Sequence, residues 1–171
     1  MIPGALEALQ FLRSRNIKTG GTTGYFEEAA QRVETLAAGQ GFRLDANAWT
    51  QPGQPGRPGP ALVRSLMQRF DVGRSETVLK IGDTVHDVAE GLSAGAWSVA
   101  VLRGSSALGL DAQAFDALPE PLRREKLQKA GATMLDAGAH AVIDSLAGVP
   151  VVVAGIEREL ARGVVKPQRL S

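Results

Sequence analysis

Residues 78–101 read VLKIGDTVHDVAEGLSAGAWSVAV, and no other stretch limits the available folds so tightly. A short apolar run (Val78, Leu79, Ile81) stops at Gly82, and two aspartates, Asp83 and Asp87, stand one helical turn apart. An amphipathic helix follows, and then a second strand over residues 97–102. Strand, loop, helix and strand in that order form a crossover unit of a parallel sheet. Open sheets of this kind bind ligands at the carboxyl ends of their strands, where Asp83 falls. Two carboxylates there suit a hard cation such as Mg²⁺, which combines carboxylate oxygens with substrate phosphate. They equally suit a helix start, with Asp83 as the cap and Asp87 in an acid-rich first turn.

The rest of the chain extends the same alternation. A helix with Ala5, Leu6, Ala8, Leu9 and Leu12 on one face leads through Asn16 to a strand predicted over residues 17–20. That strand runs into Gly20-Gly21-Thr22-Thr23-Gly24-Tyr25. Glycines let a backbone approach a ligand, hydroxyls donate to anions, and the next helix points its N-terminus at the same place, so a phosphate fits there. A plain strand-to-helix turn capped by Thr22 or Thr23 satisfies the same residues. The helix beyond is marked by Phe26, Ala29, Ala30, Val33 and Leu36, a face expected to lie in the core, with Tyr25 and Phe26 packing in the core or at its rim. A weak strand at residues 46–49 precedes a Pro/Gly loop at residues 51–60, stiff enough to exclude regular structure, that carries one cation, Arg57. Held so, Arg57 offers a fork for a phosphoryl or phosphonyl group, although a lone loop arginine is ordinarily a solvated charge. A helix follows, from Leu62 to Phe70.

After the second strand, residues 103–110 are small and polar, as suits a rim over a ligand site. A polar helix opening at Pro119 and Pro121, an edge strand over residues 139–143, a closing helix over residues 151–162 and a frayed tail complete the reading. His86 is expected on the surface, and Lys80 in a structural or supporting place. The 171 residues suffice for one real core, read as a domain over residues 1–163 with residues 164–171 as tail. A net charge of +1 gives no electrostatic case for nucleic acid or an anionic membrane. There is no cysteine, so thiolate metal sites and disulfides are excluded. With no charged-then-apolar leader and no apolar run long enough to span a bilayer, a soluble, cytoplasmic protein is expected.

The phrases IPGALEAL, GTTGYFEE, GRPGPAL, KIGDTVHDVAEGLSAGAWSVAV, GSSALGL and GAHAVID resemble, in order and spacing, the haloacid dehalogenase superfamily of phosphotransferases. Within it they resemble the phosphonoacetaldehyde hydrolase family, with Gly21 in place of an expected serine and Gly59 as a second departure. The resemblance implies an α/β, three-layer Rossmann-like core with a parallel sheet. It also implies Mg²⁺-dependent cleavage of the carbon–phosphorus bond of phosphonoacetaldehyde to acetaldehyde and phosphate. By position, Thr22, Thr23 and Gly24 would hold phosphonyl oxygens, with Thr23 and Arg57 serving catalysis. Arg57 would stand where the family usually has lysine, and Asp83 would ligate Mg²⁺ with Asp87 supporting the metal site.

The resemblance also implies two parts that these residues do not supply: a nucleophilic aspartate at the end of an earlier strand, and a cap whose lysine forms a Schiff base with the aldehyde. That strand would lie between the two strands expected near residues 17–20 and 78–81, so this chain is expected to lack its first strand and cap. An unfilled gap predicts poor stability, a homodimer formed through the gap, or pairing with a complementing N-terminal segment. The alternatives are a phosphate-binding remnant or partner subunit without turnover, and a generic phosphatase of the same superfamily.

Overall fold

The computed structural model describes residues 2–53 and 55–170. Helix α1 (Ala5–Ser14) stops where Asn16 turns left-handed at φ 55°. Strand β1 is Gly20–Thr23, three residues later than the sequence indicates. The expected phosphate loop is therefore mostly strand. It is recruited by parallel pairing with β2 (Ala46–Trp49), where Gly20 faces Ala46 and Thr23 faces Trp49. Lacking a Cβ, Gly20 lets Leu66 close on the strand.

Helix α2 (Glu27–Gly39) forms where its periodicity places it, but the face differs. Phe26 is 66% exposed and Leu36 62%, and Tyr25 and Val33 are exposed as well, so only Ala30 is buried. Period alone locates an apolar stripe without saying what covers it. Helix α3 (Ala61–Arg69) buries Leu62, Val63 and Leu66.

Strands β3 (Leu79–Gly82), β4 (Trp97–Val101) and β5 (Ala141–Ile143) form a second parallel sheet in that order. Helix α4 (Val85–Ala94) joins the first two. Helices α5 (Ala112–Asp116), which the sequence reading lacks, and α6 (Glu120–Asp136) precede β5; α7 (Val149–Ala161) closes the chain. Alternation along the strands builds three layers. Leu79, Ile81, Trp97, Val99 and Ile143 pack against α1 and α7. Lys80, Ser98, Ala100 and Val142 turn the other way, toward α4 and α6. Leu170, placed by the sequence in a frayed tail, donates its N–H to the His140 carbonyl at 2.9 Å and packs on the Trp97 cluster.

Among the described residues β1 and β3 share no ladder. Every residue of β4 is buried, whereas every residue of β3 is partly exposed. Each sheet thus keeps an unpaired edge. The two sheets are linked on the α4 side by Lys80 Nζ donating to Thr22 Oγ1 at 2.8 Å.

Candidate active site

The turn after β3 is built by Thr84, not by Asp83. Thr84 caps α4: its Oγ1 accepts from Asp87 N at 3.1 Å, while Asp87 Oδ2 accepts from Thr84 N at 3.2 Å and from Thr84 Oγ1 at 2.6 Å. This reciprocal capping box satisfies two N–H groups that a helix start leaves open. A Cβ on Gly82 would collide with Asp87, so the glycine makes room for that carboxylate. Ser105, in the loop after β4, ties the turn down by donating its hydroxyl to the Asp83 carbonyl at 2.7 Å.

Asp87 Oδ1 then collects two cations, Lys80 at 3.0 Å and Arg57. A carboxylate has about four acceptor positions, and here all are taken. Burial opposes ionisation of Asp87, but Lys80, the Thr84 hydroxyl and Arg57 outweigh it and hold the carboxyl below its usual range.

One helical turn on, Glu90 is fully buried. Its Oε2 accepts from Lys80 Nζ at 2.9 Å, Thr22 Oγ1 at 3.0 Å and Arg57 Nε at 3.1 Å. Gly91 permits this approach, since a Cβ there would come within 3.0 Å of Lys80 Cβ and Ser98 Cβ.

The structure thus brings Thr22, Arg57 and Asp87 into one network at the carboxyl ends of β1 and β3. Thr23 and Asp83 are chain neighbours of that network on the same rim. Thr23 Oγ1 accepts from Tyr25 N at 3.2 Å, and Gly24 is exposed with open space around it. Lys80, expected only in a structural or supporting place, pairs with both acids. Glu90 lay outside the expected residues; its one signal is an acid three residues after Asp87 on the same helical face.

Among the described residues no cluster of three or more potential ligands surrounds a metal position. Asp83 fits Mg²⁺ as one ligand, because its carboxylate makes no hydrogen bond or ion pair among the described residues and Mg²⁺ accepts one or two carboxylates beside water and phosphate. Asp87, expected from the sequence to support the metal site, has its acceptor positions filled by two cations and the helix cap. No helix is long and apolar enough to cross a membrane among the described residues.

Charged and hydroxyl side chains thus gather at the strand ends of a parallel α/β fold, the edge at which such folds bind ligands. The chain belongs to the haloacid dehalogenase-like hydrolase family, whose model matches residues 1–95, and a second, HAD-hydrolase-like model matches residues 54–148. Within that family its likeness is to phosphonoacetaldehyde hydrolases. It is 34% identical over 156 residues to the one from Parabacteroides distasonis, covering 89% of this chain and 58% of that protein. It is 35% identical over 165 residues to the one from Syntrophobacter fumaroxidans, covering 96% and 60%. The crystal structure of a phosphonoacetaldehyde hydrolase-like protein from Oleispira antarctica superposes with a TM-score of 0.92 at 34% identity, covering 97% of this chain and 60% of that one. The chain therefore spans about three fifths of the length of these relatives.

Proposed function

We propose that these residues form the phosphonyl-binding and metal-binding half of a carbon–phosphorus hydrolase, acting on phosphonoacetaldehyde with water to give acetaldehyde and phosphate. The observation that carries this reading is the convergence of Arg57, Lys80 and Thr22, from a loop and two separate strands, on Glu90 Oε2 at the rim where the turn after β3 carries Asp83. Phosphoryl-type transfer needs positioning and charge neutralisation more than covalent chemistry. Arg57 supplies a planar fork for two oxyanion oxygens, Lys80 a point charge and Thr23 a hydroxyl donor, while Thr22, whose proton goes to Glu90, helps to hold Lys80. Asp83 would hold Mg²⁺, which supplies further neutralisation of the transferring group. The attacking carboxylate and the aldehyde-binding lysine belong to a further strand seated between β1 and β3 and to a cap.

The second reading, an oxyanion-binding unit without turnover, is favoured by one feature: Asp87 and Glu90 already neutralise both cations. The test is phosphate release from phosphonoacetaldehyde against release from p-nitrophenyl phosphate, with Mg²⁺, by the chain alone and by the chain co-expressed with a strand-and-cap segment from the Syntrophobacter fumaroxidans relative. Preferential cleavage of the phosphonate in the complemented form supports the proposal. Ester turnover alone favours a generic phosphatase, and phosphate binding without turnover in either form favours the binding unit.

A further inference from the structure

Glu90 has the geometry of a group placed to hold others. Among the described residues it is the only ion-paired acid whose side chain is 0% exposed, and three donors from three parts of the chain share its Oε2. Its Oε1, equally buried, has no hydrogen-bond partner among the described residues. A buried carboxylate is costly unless its oxygens are satisfied, so an arrangement optimised for Glu90 itself would divide the donors between the two. Crowding them on Oε2 instead brings the Arg57 and Lys80 head groups together. Two cations at that separation repel, and the two carboxylate oxygens they share, Asp87 Oδ1 on the rim and the fully buried Glu90 Oε2, keep them adjacent.

Resting on the reading that Arg57 and Lys80 grip a phosphoryl-type oxyanion, we propose that Glu90 is a positioning residue that holds them as one two-cation clamp. The proposal fixes the sign of an experiment. Two cations and two carboxylates leave the cluster neutral, and Glu90→Gln removes one negative charge. If Glu90 merely drained charge from the cations, the variant would bind an anion more tightly. A positioning role gives the opposite result, because the glutamine carbonyl left to accept from Arg57 Nε is an uncharged, weaker acceptor that no longer holds two cations together, and the fork swings out of register.

Inorganic phosphate titrated calorimetrically into the full chain and its Glu90→Gln variant reads this directly, and circular dichroism confirms the fold. The expected result is roughly tenfold to hundredfold weaker binding in the variant, the range for loss of a residue that orients a ligand group. Equal or tighter binding overturns the proposal. A second readout needs no ligand. The Arg57 Nε–H, assigned in an NMR spectrum by its loss in Arg57→Lys, is protected from solvent exchange in the parent and unprotected in Glu90→Gln. Protection that survives the substitution overturns the proposal too. Should Glu90→Gln fail to fold, Glu90→Asp keeps the charge but withdraws it by one methylene, with the same two expectations. A parent chain that binds no phosphate defeats the oxyanion reading, while the Arg57 signal still decides the role of Glu90.

Discussion

Arg57 is the residue on which both the chemistry and the local stability turn. Its side chain is 21% exposed and is shared between Asp87 and Glu90. Arg57→Ala leaves two buried acids with Lys80 alone, and a stability loss of about 1–3 kcal/mol is expected, below the figure for a fully buried pair because the arginine is partly solvated. Urea unfolding measures it, and an unchanged midpoint would show that the loop does not anchor here. His140 makes a second residue-level prediction. Ser98 N–H donates to His140 Nδ1 at 2.8 Å, which requires an unprotonated nitrogen, and burial lowers the pKa of the ring. The unfolded chain therefore takes up a proton first as pH falls below about 6.5. The folded state loses stability from there down through its own lower pKa, so the melting temperature should drop between pH 7 and pH 5. In His140→Asn that slope should flatten. That Arg57 and Thr22 belong to one cluster was legible from sequence, because residue type and loop context singled them out, and alternation gave Lys80 a supporting place. Glu90 was not legible, because a glutamate in a helix declares a partner only when β1, β3 and α4 are brought together.

The crossover unit from β3 to β4 shows how an element converts spacing into a site. Gly82 admits Asp87, Thr84 caps the helix, and Gly91 lets α4 settle on Lys80 and Ser98. Thr84→Ala removes the cap hydroxyl and one donor to Asp87, with an expected cost of about 0.5–2 kcal/mol. Gly82→Ala should do more damage to binding than to folding, since the new methyl meets the Asp87 carboxylate and must push it off Lys80 and Arg57. Phosphate affinity should then fall further than thermal stability does, and a variant that melts early yet binds normally would contradict this. The helices other than α5, and strands β2 to β5, were readable from period and caps. The position of β1 was not, because Gly20 to Thr23 carry no apolar alternation and become strand only by pairing with β2. The exposed stripe of α2 shows the converse: its period was legible, its covering was not.

At the scale of the molecule the unpaired edges of β1 and β3 set the behaviour. Neighbouring strands lie about 4.8 Å apart, so two strands flanking a third stand about 9.6 Å apart, a span that a lysine stem and a threonine hydroxyl bridge between them. Lys80 reaching Thr22 ties the two sheets together at that edge, and the proposed chemistry requires a slot one strand wide there. Amide groups alternate sides along a parallel strand, so those of β3 divide into a set bonded to β4 and a set facing the slot. Hydrogen exchange resolved by residue should therefore be two-speed along Leu79–Gly82 and uniformly slow along Trp97–Val101, which has a neighbour on each side. A complementing strand supplied in trans should slow the fast set, protect β1 in the same way, and raise the melting temperature with its concentration, as any ligand of the folded state must. A homodimer formed through the same slot would slow those amides as protein concentration rises, without any added strand. Uniform protection of β3 in dilute monomer would mean that the two sheets close on each other in solution, leaving no place for the strand that the proposed chemistry requires.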